Sequence, residues 1–316
     1  MQLAENHAKF RVISFFNSRF LCFFSADIMA LVSIYIPTHN RRILLEGAIN
    51  SVRAQTYQSL EIIVVNDASS DETRSYLDQV ARTEPRLVVI HSDRPLGAGG
   101  ARNAALRKAS GEFTTGLDDD DQFAPDRIQT FITEWSALGV EQERTSCLFT
   151  DSIMKDETRS FVTTDRRAEV AYSDLFQHNF IGNQVFCPTH RFLEIGGFDE
   201  NLPAWEDLDL FMRLLKRYGP ARRVSGASYI CHVESSRQRM SRNAAKHYLA
   251  YEKIVEKNPA QTPRQQIELF LQLFSPFYGT IPSASDWSRM FRLGAPPALL
   301  VKLLKATVRN SLRKFL

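Results

Sequence analysis

Between residues 30 and 110 the chain alternates short β-branched runs with amphipathic stretches of helical period, each separated by turn residues, and this constrains the fold more than any other feature. Residues 31–36 (LVSIYI) read as a buried strand, 44–55 as a helix and 60–65 (LEIIVV) as a second strand. Residues 71–82 follow as a helix that Ser70 or Asp71 is placed to cap. A third strand at 87–90, a helix over about 100–109 and a strand at 112–117 then lead straight into Asp118-Asp119-Asp120-Asp121. This βαβ order predicts an α/β fold whose mostly parallel central sheet is flanked by helices, with ligands beyond the carboxyl ends of the strands. The loops at 37–40 and 66–71 and the acidic run all fall at such ends.

The second half is less regular. Residues 123–138 and 207–218 read as helices, the latter stopped by Gly219-Pro220, and from 241 onward the chain reads as helical without a turn-rich linker. Hydrophobic content of 44% and charged content of 24% belong to a globular protein, and a net charge of +3 is too small to indicate nucleic acid as a partner. Cys22, Cys147, Cys187 and Cys231 form no C-x-x-C pair, so neither a zinc knuckle nor a disulfide framework is expected, and reduced thiols in the cytoplasm are the default. No apolar run reaches the length of a transmembrane helix. The aromatic stretch at 12–24 is interrupted by Asn17, Ser18 and Arg19 and lacks a small-residue cleavage site, so Met29, just before the first strand, is the expected start and 1–28 an upstream extension outside the fold. Residues 297–316 set Lys302, Lys305, Arg309, Arg313 and Lys314 against Leu299, Leu300, Leu303, Leu304, Val308, Leu312 and Phe315. Two readings stand: a basic amphipathic helix on an anionic membrane surface, and a terminal helix packed on its own domain.

Four consecutive aspartates repel one another by roughly 1 kcal/mol per neighbouring pair in water and more when desolvated, so a cation is expected beside them. Carboxylates plus substrate phosphates are the usual ligands of Mg²⁺ or Mn²⁺; a solvated acidic loop is the competing reading. Gly97-Ala98-Gly99-Gly100 fails the G-x-G-x-x-G frame, because the sixth position is Arg102, and it lies too far past its strand. It reads as a flexible entry to a helix, leaving Arg102 to meet a phosphate.

The stretch VSIYIPTHN (32–40), then SVRAQTY (51–57) and EIIVVNDASSD (61–71), closely resembles the opening of glycosyltransferase family 2, the inverting enzymes of GT-A fold. GGARN (99–103), GEF (111–113), LDDDD (117–121), PDR (125–127), GGFDE (196–200) and Glu206-Asp207 continue the resemblance in order, so that it covers about residues 31 to 232. It implies a GT-A domain over 29–240 with a helical C-terminal extension over 241–316. It also implies transfer of a sugar, with inversion, from a nucleotide-diphosphate donor, UDP-sugar first and GDP or dTDP next. Saccharide, lipid-linked or protein hydroxyls are the acceptors of such enzymes, and polysaccharide or glycoconjugate assembly is their setting. The expected location, from the thiols, is cytoplasmic, and the membrane reading of 297–316 would add peripheral contact on the inner membrane face.

Carried over by position, Pro37, Thr38 and Asn40 line the nucleotide pocket and Asp67 accepts from the base imide, with Asn66 where the family usually has a first aspartate. Asp118-x-Asp120 matches the D-x-D motif: Asp120 binds Mn²⁺ or Mg²⁺, and Asp118 or Asp119 contacts the ribose or supports the metal. Asp207 is the implied general base, its proton affinity raised by Trp205, Glu206 and Asp209, while Glu206 orients it or binds acceptor. Acidic residues opening a helix are also what its N-terminus favours. His232 sits where some related enzymes bring a histidine towards metal or diphosphate, and Arg237 and Arg239 beyond it are placed to neutralise diphosphate. Acceptor contacts are expected after His178, and the polar loop 155–167 is expected to order with ligand. A nucleotidyltransferase would instead carry a glycine-rich triphosphate loop after its first strand, and a non-catalytic nucleotide-binding relative would tolerate loss of Asp207.

Overall fold

The computed structural model describes residues 29–156, 158–163, 167–233 and 243–312; the expectations for 1–28, Arg237 and Arg239 lie outside them. β1 (Val32–Thr38), α1 (Arg42–Arg53), β2 (Leu60–Asp67), α2 (Thr73–Ala81), β3 (Leu87–Ser92), α3 (Gly97–Lys108) and β4 (Phe113–Gly116) form the alternating half. There follow β5 (Gln122–Phe123), α4 (Arg127–Ala137), β6 (Leu148–Lys155), β7 (Ser160–Val162), β8 (Glu169–Val170), β9 (Phe186–Pro188), α5 (Thr189–Glu194), α6 (Glu206–Tyr218) and β10 (Ala221–His232). Four helices complete the described chain: α7 (Ala244–Lys257), α8 (Pro263–Gln272), α9 (Ala284–Arg292) and α10 (Pro297–Leu312).

The main sheet runs β3-β2-β1-β4-β9-β6-β10-β5. β3, β2, β1 and β4 are mutually parallel, as helical crossovers between them require. β9 is antiparallel to both β4 and β6, whereas β6 and β10 run parallel to each other and to the first four strands, so β9 is a reversed strand inside a largely parallel sheet that antiparallel β5, β7 and β8 make mixed at its margins. Strand alternation divides the interior in two. Val32, Ile34, Ile36, Ile62 and Val64 pack with α1, α2 and α4 on one face. Tyr35, Ile63 and Val65 point to the other, against α3, α5 and α6. Tyr251 and Ile254 of α7, Phe270 of α8, Met290 of α9 and Leu299 and Leu303 of α10 belong to that second core, together with Leu208, Phe211 and Leu215 of α6. Among the described residues no helix is long and apolar enough to cross a membrane.

Two local expectations are corrected. The glycine run is part of the helix and not an entry before it: Gly97 to Gly100 are the first turn of α3, and a Cβ at Gly99 would stand 3.3 Å from the Asp199 carbonyl oxygen, a tight contact. The stretch from 123 does not begin as helix either, because Gln122 and Phe123 pair with Ile230 and Tyr229 and Pro125 intervenes before α4.

Candidate active site

Three strand ends converge on one face. Among the described residues the non-glycine positions with left-handed backbone are Asn40 (φ 53°), Ala68 (φ 54°) and Trp205 (φ 63°), and all three lie on loops that build this face. Asn40 laces the first two loops together: its amide N–H donates to Ser69 Oγ at 2.9 Å, and its Oδ1 accepts from the Ser70 N–H at 2.7 Å. Asp67 ends β2 with Oδ1 accepting from the Leu96 N–H at 2.6 Å and Oδ2 from the Gly97 N–H at 3.0 Å, so the start of α3 fixes the carboxylate. A carboxylate oxygen has a second lone pair, so accepting from a base N–H is compatible with this anchoring. Thr38, the buried last residue of β1, lies beside Asp119, and Pro37 before it is half-buried.

The acidic run meets the cations its repulsion requires. Arg41 Nη1 donates to Asp119 Oδ1 at 2.9 Å and to Asp120 Oδ2 at 3.0 Å. Arg102 Nη2 donates to Asp118 Oδ1 at 3.1 Å, and its Nη1 to Glu206 Oε1 at 2.8 Å. Arg102 therefore joins the end of β4 to the start of α6 by charge-assisted bonds, rather than standing exposed on its helix. Gln184 Nε2 also donates to Asp118 Oδ1, at 3.1 Å, and Gln184 is itself held by the Tyr35 hydroxyl at 2.8 Å. Burial raises the Asp119 carboxyl to about 6 against the pull of Arg41. Burial, then repulsion by Asp118 and Asp120, raises Asp121 to about 8 although the His232 N–H donates to its Oδ1 at 3.0 Å. Arg41, Gln184 and Tyr35 escape a reading by motif. Only Arg41 leaves a signal, being the first arginine after β1 on a loop that faces four carboxylates.

A cavity of about 420 Å³ opens beside the run, and its walls include Asp120, Asp121, Lys155, Asp156 and His232. Carboxylate oxygens with one imidazole are a donor set for Mg²⁺ or Mn²⁺. Among the described residues no group of three or more His, Cys, Asp or Glu is arranged to hold an ion by itself. The residues therefore fit an ion bound by one or two protein groups and completed by substrate phosphates, the common arrangement for Mg²⁺. Asp120, with 27% of its side chain exposed, is the accessible carboxylate of the Arg41 pair.

The left-handed turn at Trp205 starts α6 with Glu206 and Asp207. Asp207 Oδ1 accepts from the Leu208 N–H at 2.8 Å, and Oδ2 from Asn179 Nδ2 at 3.3 Å. Burial, then the charge of Glu206, pushes Asp207 up to about 7, opposed by the Leu208 N–H and Arg102. Asp209, expected to share in this, does not: it is fully buried and paired with Arg213, whose Nε lies 2.8 Å from its Oδ2. Trp205 packs on Tyr278 at 6.0 Å between ring centroids, and Tyr278 on His247 at 4.2 Å. The Tyr278 phenol is raised by burial and next by the charge of Asp207, so a residue from the segment between α8 and α9 stands beside the acid pair.

Comparisons with known proteins bear on the family and the fold. The family model described as "Glycosyl transferase family 2" matches residues 33–193. The Escherichia coli protein described as "Putative colanic acid biosynthesis glycosyl transferase WcaA" is 32% identical over 250 residues, 77% of this chain and 88% of that protein. The GalNAc(5)-diNAcBac-PP-undecaprenol beta-1,3-glucosyltransferase of Campylobacter jejuni is 29% identical over 225 residues, 71% of this chain and 72% of that protein. Among solved structures, S. aureus TarS 1-349 in complex with UDP-GlcNAc superposes with a TM-score of 0.58 at 19% identity, covering 87% of this chain and 79% of that one. The mannosyltransferase PcManGT from Pyrobaculum calidifontis, in complex with GDP-Man and Mn²⁺, gives 0.54 at 18% identity, covering 89% and 87%. A mixed sheet flanked by helices, superposing on these enzymes, is the GT-A fold. The chain belongs to glycosyl transferase family 2. It is a glycosyltransferase, and a nucleotide-sugar donor is consistent with that membership.

Proposed function

We propose that this glycosyltransferase transfers a sugar with inversion from a nucleotide-diphosphate donor, UDP-sugar first, to a hydroxyl of a saccharide or lipid-linked acceptor in polysaccharide or glycoconjugate assembly. The observation that carries the reading is the chain Asp118–Arg102–Glu206 ending beside Asp207, whose carboxyl is raised to about 7. It ties the donor side of the cleft to a base poised near neutral pH. The colanic acid and undecaprenol-linked relatives support the setting, and the neighbours holding UDP-GlcNAc or GDP-Man support the donor class.

In this reading Asp67 accepts from the base, Asn40, Pro37 and Thr38 shape the nucleotide pocket, and Asp118 or Asp119 meets the ribose. Asp120, with either Asp118 or His232 as a second protein ligand, would hold Mn²⁺ or Mg²⁺, which when bound would neutralise charge on the leaving diphosphate. Arg102 orients Asp118 and Glu206 and adds positive charge on the donor side. Asp207 takes the acceptor hydroxyl proton as that oxygen forms its bond to the anomeric carbon. The bond from that carbon to the diphosphate breaks on the opposite face, and the diphosphate leaves with its electron pair. Asn179 and the Leu208 N–H hold the Asp207 carboxylate in place for this. A cytoplasmic location accords with the buried thiols of Cys147 and Cys187, which a reducing compartment keeps as thiols.

The test is calorimetric titration of UDP, GDP and dTDP with Mn²⁺, with and without chelator, on the wild type and Asp120→Ala. Binding of one nucleotide that needs metal and is lost in the variant is expected; silence from all three would refute the donor half of the proposal.

A further inference from the structure

The two sequence readings of the last helix turn out not to exclude each other. On α10, Leu299, Leu303, Ala306 and Asn310 are buried, and at about 100° per residue they fall within about 60° of one another, facing the core. Val301, Leu304, Val308 and Leu312 are 48%, 52%, 52% and 59% exposed, and they form a second apolar stripe on the opposite side of the same helix. A surface helix packed on its own domain needs only the first stripe. Between the two run Lys302, Lys305 and Arg309, with both lysines exposed, and residues 287–316 contain no Asp or Glu.

We propose that the outward stripe of α10 docks the enzyme on an anionic lipid bilayer, with Val301, Leu304, Val308 and Leu312 entering the headgroup boundary and Lys302 and Lys305 reaching lipid phosphates. Charge decides the occupant. A row of like charges beside the stripe opposes its burial against the same stripe of a second copy, because a two-fold contact sets the lysine rows near one another. The same row is attracted by a negative bilayer, and lysine stems lie along apolar surface with their ammonium groups in the polar layer. The docking gives the lipid-linked acceptor of the proposed function a physical meeting place, and it rests on that reading only for the identity of the acceptor.

Flotation of the full chain with vesicles of phosphatidylglycerol and phosphatidylethanolamine, against vesicles of phosphatidylcholine alone, tests it. The wild type is expected to float with the anionic vesicles only, and to be released by added salt. Leu304→Glu with Val308→Glu should abolish flotation without changing thermal melting, since both side chains point outward. Lys302→Gln with Lys305→Gln should weaken it by roughly 25-fold, about fivefold per lysine. Failure of the wild type to float, or undiminished flotation of the double glutamate variant, would overturn the proposal. So would a wild-type dimer in sedimentation that the glutamates dissociate, in a protein that ignores vesicles. Transfer to a short water-soluble acceptor should be equal in the wild type and the glutamate variant; a wild type that floats but transfers nothing refutes the catalytic reading and leaves this one standing.

Discussion

Replacing Glu206 with glutamine should move the acid limb of the pH–rate profile downward. Asp207 sits at about 7 because burial and the neighbouring Glu206 charge disfavour its ionised form. In the proposed mechanism its working form as a base is the carboxylate, so kcat/KM of the wild type should fall as pH drops through 7. Two carboxylates several ångströms apart repel by roughly 2 kcal/mol at the effective dielectric of a protein surface. At about 1.4 kcal/mol per pH unit, removing one of them lowers the other's midpoint by about 1 unit. Arg102, released from Glu206 Oε1, pulls in the same direction because it already favours the Asp207 carboxylate. The assay is kcat/KM from nucleotide release across about pH 5 to 9, with Asp207→Asn as reference; that variant should lose about 10²- to 10⁴-fold at every pH while keeping nucleotide affinity. A limb that stays put or moves up in Glu206→Gln, or an Asp207→Asn variant with unchanged turnover, would remove Asp207 from the base role.

The same raised value has a stability consequence. Folded Asp207 holds its proton to about 7 against an ordinary 3.8, so the folded state binds more protons in that window and stability falls as pH rises through it. Asp207→Asn should therefore be more stable than wild type by roughly 2 kcal/mol at pH 8, and level with it near pH 4, in urea titrations. Glu84 has the opposite sign: Arg86 and Arg53 hold its buried carboxylate down to about 2, so it stabilises above its ordinary 4.5 and the contribution fades as pH falls towards 2. Glu84→Gln should cost roughly 2 kcal/mol at pH 7, less than half of that near pH 3 and almost nothing below pH 2 by the same titration. At Gly116 an added Cβ would fall inside the van der Waals radii of Gln184 Oε1 and the Tyr35 ring, which together position Asp118. Gly116→Ala should weaken nucleotide binding at least about tenfold in calorimetry and lower the melting temperature.

How much of this was legible beforehand follows the range of the interactions. β1 and β2 declare themselves through continuous β-branched runs, because each is buried on both faces, while β3, half-buried at the edge of the sheet, still carries the run Leu87-Val88-Val89-Ile90. The loops holding Asn40, Asp67 and the four aspartates follow directly from the strand ends. The partners of those residues do not: Arg41 lies 78 positions from Asp119, Gln184 lies 66 from Asp118, and Arg102 lies 104 from Glu206. Nothing in local periodicity encodes such separations. The same limit hid the mixed half of the sheet, since β9 is a short strand whose place between β4 and β6 is set by packing. The glycines of 97–100 misled for another reason. They read as freedom, whereas at Gly99 the absent side chain makes room for a neighbouring backbone.

The shared core beneath α6 bears on how this enzyme can be taken apart or recombined. Leu208, Phe211 and Leu215 press on the same interior as Tyr251, Phe270, Met290 and Leu303. A chain ended at residue 240 would strip the cover from the helix that presents Glu206 and Asp207, and would remove Tyr278 from beside them. The catalytic half is thus not a cassette. A chimera meant to exchange acceptor preference has to carry its own four closing helices with it, because they are a wall of the same interior that supports the acid pair.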